Sequence, residues 1–234
     1  MDGNRRYADR SKIDRRSGHV SGYASLMKTL EACLNLGVEV ITVYAFSIDN
    51  FKRSPEEVSA LMDLVEEKLI ALAKETELIN KYGICVKLVG NTSLLPEAVQ
   101  RAGKHAEAVT GHHSRSRLNL ALAYTSRDEI RHAVECVRDD FVAGSRPSSE
   151  VNQDPHAQSS GRPFQAAIEE HLYTSGCPPV DLLVRTSGEA RLSNFLLWQS
   201  SSACLAFCQA LWPEFSFRHL VWAVLEYQRA KPWL

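Results

Sequence analysis

The stretch Val38 to Phe46, VEVITVYAF, is apolar and largely β-branched. Strict alternation would mark a strand with one wet face. A continuous apolar run of this length marks a strand buried on both faces, as in parallel sheets whose crossover helices cover both sides. That choice constrains the rest of the chain, because parallel strands need helical connections between them.

The remaining pattern supplies those connections. Ahead of the strand, Gly18 to Gly37 carries Tyr23, Leu26, Met27, Leu30, Cys33 and Leu34 on one helical face. This places His19 at or near a helix N-terminus, where backbone N–H groups favour an anion; a capping or packing histidine would look the same. After the strand, Ser54-Pro55-Glu56-Glu57 reads as a capping box opening a long helix to about Asn80. Its stripe of Val58, Leu61, Met62, Val65, Leu69 and Leu72 suits a core or the wall of an apolar tunnel. Further strands are expected at Ile84–Val89, Leu118–Ala123 and Val180–Val184. Helices are expected at Pro96–Val109, from Ser126-Arg127-Asp128-Glu129 to Val142, at Phe164–Tyr173, and from Ser216 to about Arg229. The expected fold class is therefore α/β, a mostly parallel central sheet with helices on both faces. At 234 residues, one domain is expected. Ala143 to Gly161, poor in apolar residues, reads as a disordered surface loop, with a functional lid as the other possibility.

Composition excludes several classes. A net charge of −1 gives no global pull toward nucleic acid or an anionic membrane, so no nucleic-acid partner is expected. The first twenty residues differ: Arg5, Arg6, Arg10, Lys12, Arg15 and Arg16 face only Asp2, Asp9 and Asp14, a local cationic patch. Cys33, Cys85, Cys136, Cys177, Cys204 and Cys208 form no CxxC pair and read as reduced thiols of a cytosol-facing protein. No apolar run approaches a membrane span, and no signal peptide is expected. His112, His113 and His156 lack metal-ligand spacing and read as surface residues.

Three polar clusters stand where a ligand site belongs. Met1-Asp2-Gly3-Asn4-Arg5-Arg6 combines a hard carboxylate for Mg²⁺, a glycine permitting close approach, and two planar guanidiniums for phosphate oxygens. Alone, this run also fits a solvated terminus with a turn-forming Asp-Gly. Ser47-Ile48-Asp49-Asn50-Phe51-Lys52-Arg53 leaves the carboxyl end of the first strand, the side on which open parallel sheets bind ligands. Arg185-Thr186-Ser187-Gly188-Glu189-Ala190-Arg191-Leu192-Ser193-Asn194 leaves another strand end and suits a diphosphate clamp, or a surface salt-bridge loop.

Together these stretches resemble the cis-prenyltransferases, the undecaprenyl and dehydrodolichyl diphosphate synthases. The matching residues are Met1 to Ala8, Gly18-His19, Ala45 to Arg53, Asp181 to Gln199, and Leu211-Trp212-Pro213-Glu214-Phe215. The resemblance implies a transferase that condenses isopentenyl diphosphate repeatedly onto farnesyl diphosphate with Z geometry, making a polyprenyl diphosphate for dolichol and protein glycosylation. It implies a catalytic set of Asp2, Asn50 and Ser47, with Asp2 holding Mg²⁺. Gly3, Asn4, Arg6, Arg15 and His19 would bind the allylic diphosphate, and Arg185, Arg191 and Ser193 the isopentenyl diphosphate. Arg53 and Glu57 lie in the matching helix entry.

Two departures from the bacterial pattern bear on partners. Cys204 stands where bacterial homodimeric members have a glutamate, and the chain ends at Lys231-Pro232-Trp233-Leu234 without their Arg-x-Gly segment. Both features resemble the eukaryotic catalytic subunit. The resemblance therefore implies a heteromer with a membrane-anchored accessory chain that supplies that segment, on the cytosolic face of the endoplasmic reticulum or on lipid droplets. The family also runs an apolar strand into the opening stretch, so a truncated start or isoform is expected here, with a poorly held cradle. A non-catalytic scaffold subunit is the alternative, opposed by the presence of Asp2, Asn4, Arg6, His19, Asn50, Arg185 and Arg191. A nucleotide site is disfavoured because neither GxxxxGK[ST] nor GxGxxG occurs. A trans-type prenyl synthase is disfavoured because Asp139-Asp140 has no third aspartate at DDxxD spacing.

Overall fold

The computed structural model describes residues 1–74, 76–143 and 162–233, so most of the expected 143–161 loop, with His156, lies outside the described residues. The elements are α1 (Asn4–Ser11), α2 (Arg15–Asn35), β1 (Val40–Ser47), α3 (Pro55–Lys74), α4 (Thr76–Tyr82), β2 (Ile84–Val89), α5 (Glu97–Thr110), β3 (Ser116–Tyr124), α6 (Ser126–Val142), α7 (Arg162–His171), β4 (Leu182–Arg185), β5 (Cys204–Phe207) and α8 (Phe217–Ala230). Among the described strands the hydrogen-bonded orders are β1-β3-β2 and β4-β5, and every pairing is parallel. The expected α/β class holds.

β3 is the strand buried on both faces, continuously from Leu118 to Tyr124. The expectation for Val38–Phe46 is corrected. β1 pairs with β3 alone among the described strands; only Val43 and Phe46 are buried along it, and Ala45 is exposed. Hydrophobicity reported membership of the sheet, whereas position in the sheet decides burial. The main core joins Leu26 and Leu30 of α2, Met62 and Leu69 of α3, Ile84 and Val86 of β2, and Leu118 and Leu122 of β3. A second buried group, Val89, Ala121, Tyr124, Leu183 and Leu196, runs from the larger sheet to β4.

Several boundaries differ from expectation for local reasons. The opening stretch forms a helix, α1, because Gly3 takes the left-handed conformation (φ 108°) and serves as its N-cap. α2 begins three residues before Gly18, capped by Asp14, whose carboxylate accepts the Ser17 N–H at 2.9 Å. His19 consequently lies in the second turn. The Ser54 hydroxyl accepts the Glu57 N–H at 3.3 Å, but the Glu57 carboxylate faces arginines instead of closing the box. At α6 the cap is Thr125, which leaves the Ser126 and Glu129 side chains for other work. The helix expected to reach Asn80 is described as α3 and α4, with residue 75 outside the described set. All six cysteines are free thiols. No helix among the described residues is long and apolar enough to cross a membrane.

Candidate active site

The first and last polar stretches meet. Asp2 is gripped through its backbone: its N–H donates to Thr186 Oγ1 at 3.1 Å, while its carbonyl accepts from the Thr186 hydroxyl at 2.9 Å and the Trp212 N–H at 2.9 Å. Gly3 follows against Leu211, where an added Cβ would lie 2.9 Å from Leu211 Cδ2. The cradle expected to be poorly held is thus fixed by the segments that follow β4 and β5.

Asp2 Oδ2 collects three donors: the Ser187 hydroxyl at 2.8 Å, Arg185 at 3.1 Å and Arg6 at 3.4 Å. Burial alone would push this carboxyl up. The Ser187 hydroxyl and the two guanidiniums outweigh it and hold the group below its ordinary value. Arg6 also donates to Ser187 Oγ at 2.6 Å and to the Ser187 carbonyl at 3.2 Å. Arg185 donates to Ser193 Oγ at 2.6 Å and to the Arg191 carbonyl. Arg191 pairs with Glu189 at 2.5 Å, and Glu189 also meets Arg6 at 3.5 Å. Asp2, Arg6, Arg185, Arg191 and Ser193 therefore form one constellation.

A second cluster gathers on Glu57, which is 16% exposed. It meets Arg53 at 2.9 Å, Arg15 at 3.3 Å and Arg5 at 3.6 Å. Three guanidiniums share one carboxylate, so the cluster keeps a positive excess. Burial lowers the His19 imidazole below its ordinary value, Arg53 and Arg5 add to the effect, and Glu57 opposes it. Arg6 of α1 meets Asp2, Ser187 and Glu189, while Arg5 of α1 and Arg15 of α2 both reach Glu57. Asn4 packs into a notch of α2, where an added Cβ on Gly22 would lie 2.3 Å from its Oδ1, a buried atom with no hydrogen-bond partner.

Ser47 and Asn50 hold each other. Asn50 Oδ1 accepts the Ser47 N–H at 3.0 Å, and Ser47 Oγ accepts the Asp49 N–H at 3.1 Å, closing a 3-10 turn at the end of β1. Tyr44, which the sequence did not single out, lies between this turn and Arg185. Burial pushes its phenol up first, Ser47 lowers it through a hydrogen bond, and the Asp49 and Arg185 charges act on it in opposite directions. Its hydroxyl donates to the Tyr124 carbonyl at 3.0 Å, and Phe195 stacks on its ring at 4.5 Å.

The other residues missed in the sequence form a buried template for the 193–197 turn. Ser193, Asn194 and Leu196 all have positive φ, a strained choice for non-glycine residues. The Ser126 N–H donates to the Asn194 carbonyl at 2.8 Å, the Leu197 N–H to Ser126 Oγ at 2.8 Å, and the Leu196 N–H to Tyr124 Oη at 3.3 Å. Glu129, fully buried, accepts from Tyr124 and from Gln199 at 3.0 Å. The only sequence signal was the polar run opening α6.

Beside Met1, Asn4 and His19 opens an apolar cavity of about 130 Å³, lined by Leu26, Met27, Phe46, Val65, Leu69 and Leu122 among others. An open groove of about 500 Å³ lies on another face of α3, against the start of α5. Among the described residues there is no group of three or more His, Cys, Asp or Glu able to hold a metal alone. One carboxylate beside a cationic cradle nevertheless fits Mg²⁺, which is commonly held by one or two carboxylates, substrate phosphates and water.

The sequence matches the family described as putative undecaprenyl diphosphate synthase over residues 1–232. It is 43% identical over 229 residues to the dehydrodolichyl diphosphate synthase complex subunit of Mus musculus, covering 98% of this chain and 65% of that relative. It is 42% identical over 238 residues to the dehydrodolichyl diphosphate synthase CPT3 of Solanum lycopersicum, covering 98% and 82% respectively. Among solved structures, lavandulyl diphosphate synthase from Lavandula x intermedia, in complex with dimethylallyl diphosphate, superposes with a TM-score of 0.85 at 30% identity. That match covers 97% of this chain and 92% of the other.

Proposed function

The chain belongs to the undecaprenyl diphosphate synthase family of cis-prenyltransferases, and on that premise we propose that it elongates prenyl chains. It condenses isopentenyl diphosphate onto farnesyl diphosphate with Z geometry, toward a long-chain dehydrodolichyl diphosphate for dolichol and glycosylation. The observation that carries this reading is the meeting of Asp2 and Arg6 with Arg185 and Ser187, a carboxylate suited to Mg²⁺ among guanidiniums suited to a diphosphate.

In this reading Asp2 would hold Mg²⁺ with the diphosphates. The ion supplies charge neutralisation of the leaving group. Gly3, Asn4, Arg6, Arg15 and His19 bind the allylic diphosphate, and Arg185, Arg191 and Ser193 the isopentenyl diphosphate. Asp2, Glu57 and Glu189 are counter-anions for these guanidiniums, a role they would share with the diphosphates on binding. As the allylic C–O bond breaks, its electron pair goes to the diphosphate, and preorganised cations aimed at that growing charge lower the barrier. The isopentenyl double bond then forms the new C–C bond. Asn50 has committed its oxygen to the Ser47 N–H, so it offers a ligand N–H donors. A carboxamide is in any case a poor base, so in this reading a diphosphate oxygen accepts the proton in the last step. The apolar cavity receives the hydrocarbon tail.

The chain works with a membrane-anchored accessory subunit that supplies the Arg-x-Gly segment, on the cytosolic face of the endoplasmic reticulum or on lipid droplets. Supporting this are Leu205 on β5 and Phe217, Trp222 and Leu225 on α8, exposed apolar residues on two elements that pack together. The test is incorporation of labelled isopentenyl diphosphate into polyprenyl diphosphate, with and without an accessory subunit, with and without Mg²⁺. Product formed only with Mg²⁺ and the partner is expected, and D2A should abolish it. Full-length product from the chain alone would refute the heteromer. No product under any condition would refute elongation.

A further inference from the structure

The apolar cavity is too small for the tail assigned to it. A cavity of about 150 Å³ accommodates a molecule the size of benzene; at about 130 Å³ this one holds roughly one five-carbon unit. A farnesyl chain has three. The rest of the tail has to extend past these lining residues, and the walls it meets are not equally fixed. The floor, β1 and β3, is a parallel ladder paired from Val40 with Arg117 to Ser47 with Tyr124, with register shifts on either side of Phe46. α3 packs along α5. α2 is tied on its far side, where the Trp212 indole donates to the Gly22 carbonyl at 2.8 Å and the Ser25 hydroxyl to the Pro213 carbonyl at 2.8 Å.

The seam between α2 and α3 is different. At its entrance Arg15 meets Glu57. Farther along, Arg16 of α2 meets Glu67 of α3 at 3.4 Å, and Glu67 pairs with the neighbouring Lys68 ammonium at 2.7 Å. That ammonium also lies over the Tyr23 ring of α2, 5.2 Å from its centroid. Arg16 and Tyr23 are seven residues apart and so share a face of α2. Lys68 and Tyr23 both line the cavity, whereas Glu67 does not. The Lys68 ammonium and the Arg16 guanidinium hold the Glu67 carboxylate below its ordinary range. Exposed ion pairs and a cation–π contact are weak individually, suited to opening and reclosing.

We propose that Arg16, Glu67, Lys68 and Tyr23 form a clasp across the α2–α3 seam, whose opening admits hydrocarbon beyond the first units and so sets the chain-length preference of the site. The proposal rests on the reading of the site as one for allylic diphosphates. Glu67 is the specificity-determining residue easiest to isolate, since changing it leaves the cavity lining intact.

The test is calorimetric titration of the full chain, with any accessory subunit it co-purifies with, using geranyl, farnesyl and geranylgeranyl diphosphate and Mg²⁺. All three share a head group, so ratios of their dissociation constants isolate the tail. E67Q should improve the affinity for the twenty-carbon ligand relative to the fifteen-carbon one by about threefold, or about 0.7 kcal/mol. The ten- to fifteen-carbon ratio should stay unchanged. K68M, which keeps the bulk and removes the charge, should act in the same direction. Wild-type ratios in both variants, or an equal shift at all three lengths, would overturn the clasp alone. A wild-type protein that binds none of the three would overturn the diphosphate reading and the clasp with it.

Discussion

Substituting Gly22 by alanine asks whether the position of the Asn4 carboxamide matters to catalysis. The new Cβ would lie 2.3 Å from Asn4 Oδ1 and 3.0 Å from Trp212 Cδ1. Relaxed non-bonded contacts of carbon lie near 3.5 Å, so one group must move by about 1 Å. Trp212 is pinned by its indole bond to the Gly22 carbonyl, whereas Asn4 Oδ1 has no hydrogen bond to lose. The carboxamide is therefore the group that yields. Overpacking of this kind costs about 1–3 kcal/mol, a fall in Tm of about 2–12 °C for a chain of this size. A misplacement of about 1 Å in a ligand-positioning group costs about 100-fold in rate. Steady-state kinetics with the allylic diphosphate varied should show kcat/KM falling by about 10- to 100-fold, with the KM for isopentenyl diphosphate little changed. G18A is the contrasting variant: its Cβ would meet the Asn4 backbone oxygen at 2.7 Å and the Ala8 Cβ at 2.9 Å. It displaces α1 as a whole and should impair both substrates, because Arg6 moves too. If G22A lowers Tm while leaving kcat/KM for the allylic substrate intact, Asn4 does not position that ligand.

Two further outcomes follow from titrating groups. The folded state lowers the Asp2 pKa from an ordinary 3.8, so the unfolded chain binds more protons across that titration. The stabilisation is complete above about pH 4 and lost as pH falls through the folded value. D2N should therefore melt below wild type at pH 7, with the gap closing in thermal scans taken progressively below pH 4. A gap unchanged at pH 3 would mean the ion pairs are not its source. His19 is shifted the other way in effect: burial, Arg53 and Arg5 disfavour its charged form. Its neutral form is fully compatible with the fold above about pH 6.5, and stability from this group declines as pH drops below that value. A diphosphate beside it reverses the bias, so ligand binding near pH 6.5 should take up a proton. Calorimetry in two buffers of different ionisation enthalpy measures this. Uptake that persists in H19Q would assign it elsewhere.

Much of the fold was legible because it rests on local rules. Leu118–Ala123 reads as a strand from its apolar run and lies within β3, and Pro55 at a helix start is where its fixed φ is least costly. What was not legible depends on neighbours. The burial of β1 turned on which strands flank it, not on its composition. β5 escaped notice because four residues, Cys204 to Phe207, carry too little periodicity to identify. α1 has little apolar stripe of its own. It is a helix because Gly3 supplies a left-handed cap and because Gly18 and Gly22 leave α2 bare where Asn4 and Ala8 approach. The residue types of the site were readable, since guanidiniums, a carboxylate and hydroxyls at strand ends imply phosphate chemistry. Their partition was not: Arg5 and Arg6 are adjacent in sequence, yet one faces Glu57 and the other Ser187.

That partition explains how so much positive charge is held without a ligand. Adjacent residues on a helix point about 100° apart, so α1 distributes its two arginines to separate carboxylates. Asp2 and Glu57 are then equivalent in one respect, each being the counter-anion of a cluster, but they differ in what binding asks of them. Glu57 sits 16% exposed among three guanidiniums, and under the proposed function a diphosphate would share those cations without requiring the carboxylate to leave. Asp2 is 41% exposed, and its Oδ2 is occupied by Ser187, Arg185 and Arg6. Under the proposed function, holding Mg²⁺ would require it to surrender guanidiniums to the diphosphates it helps bind. Metal and diphosphate are therefore expected to bind together more readily than either alone, because each would relieve the charge imbalance the other creates. That coupling would reside in the Asp2 side chain, while Thr186 and Trp212 fix its backbone.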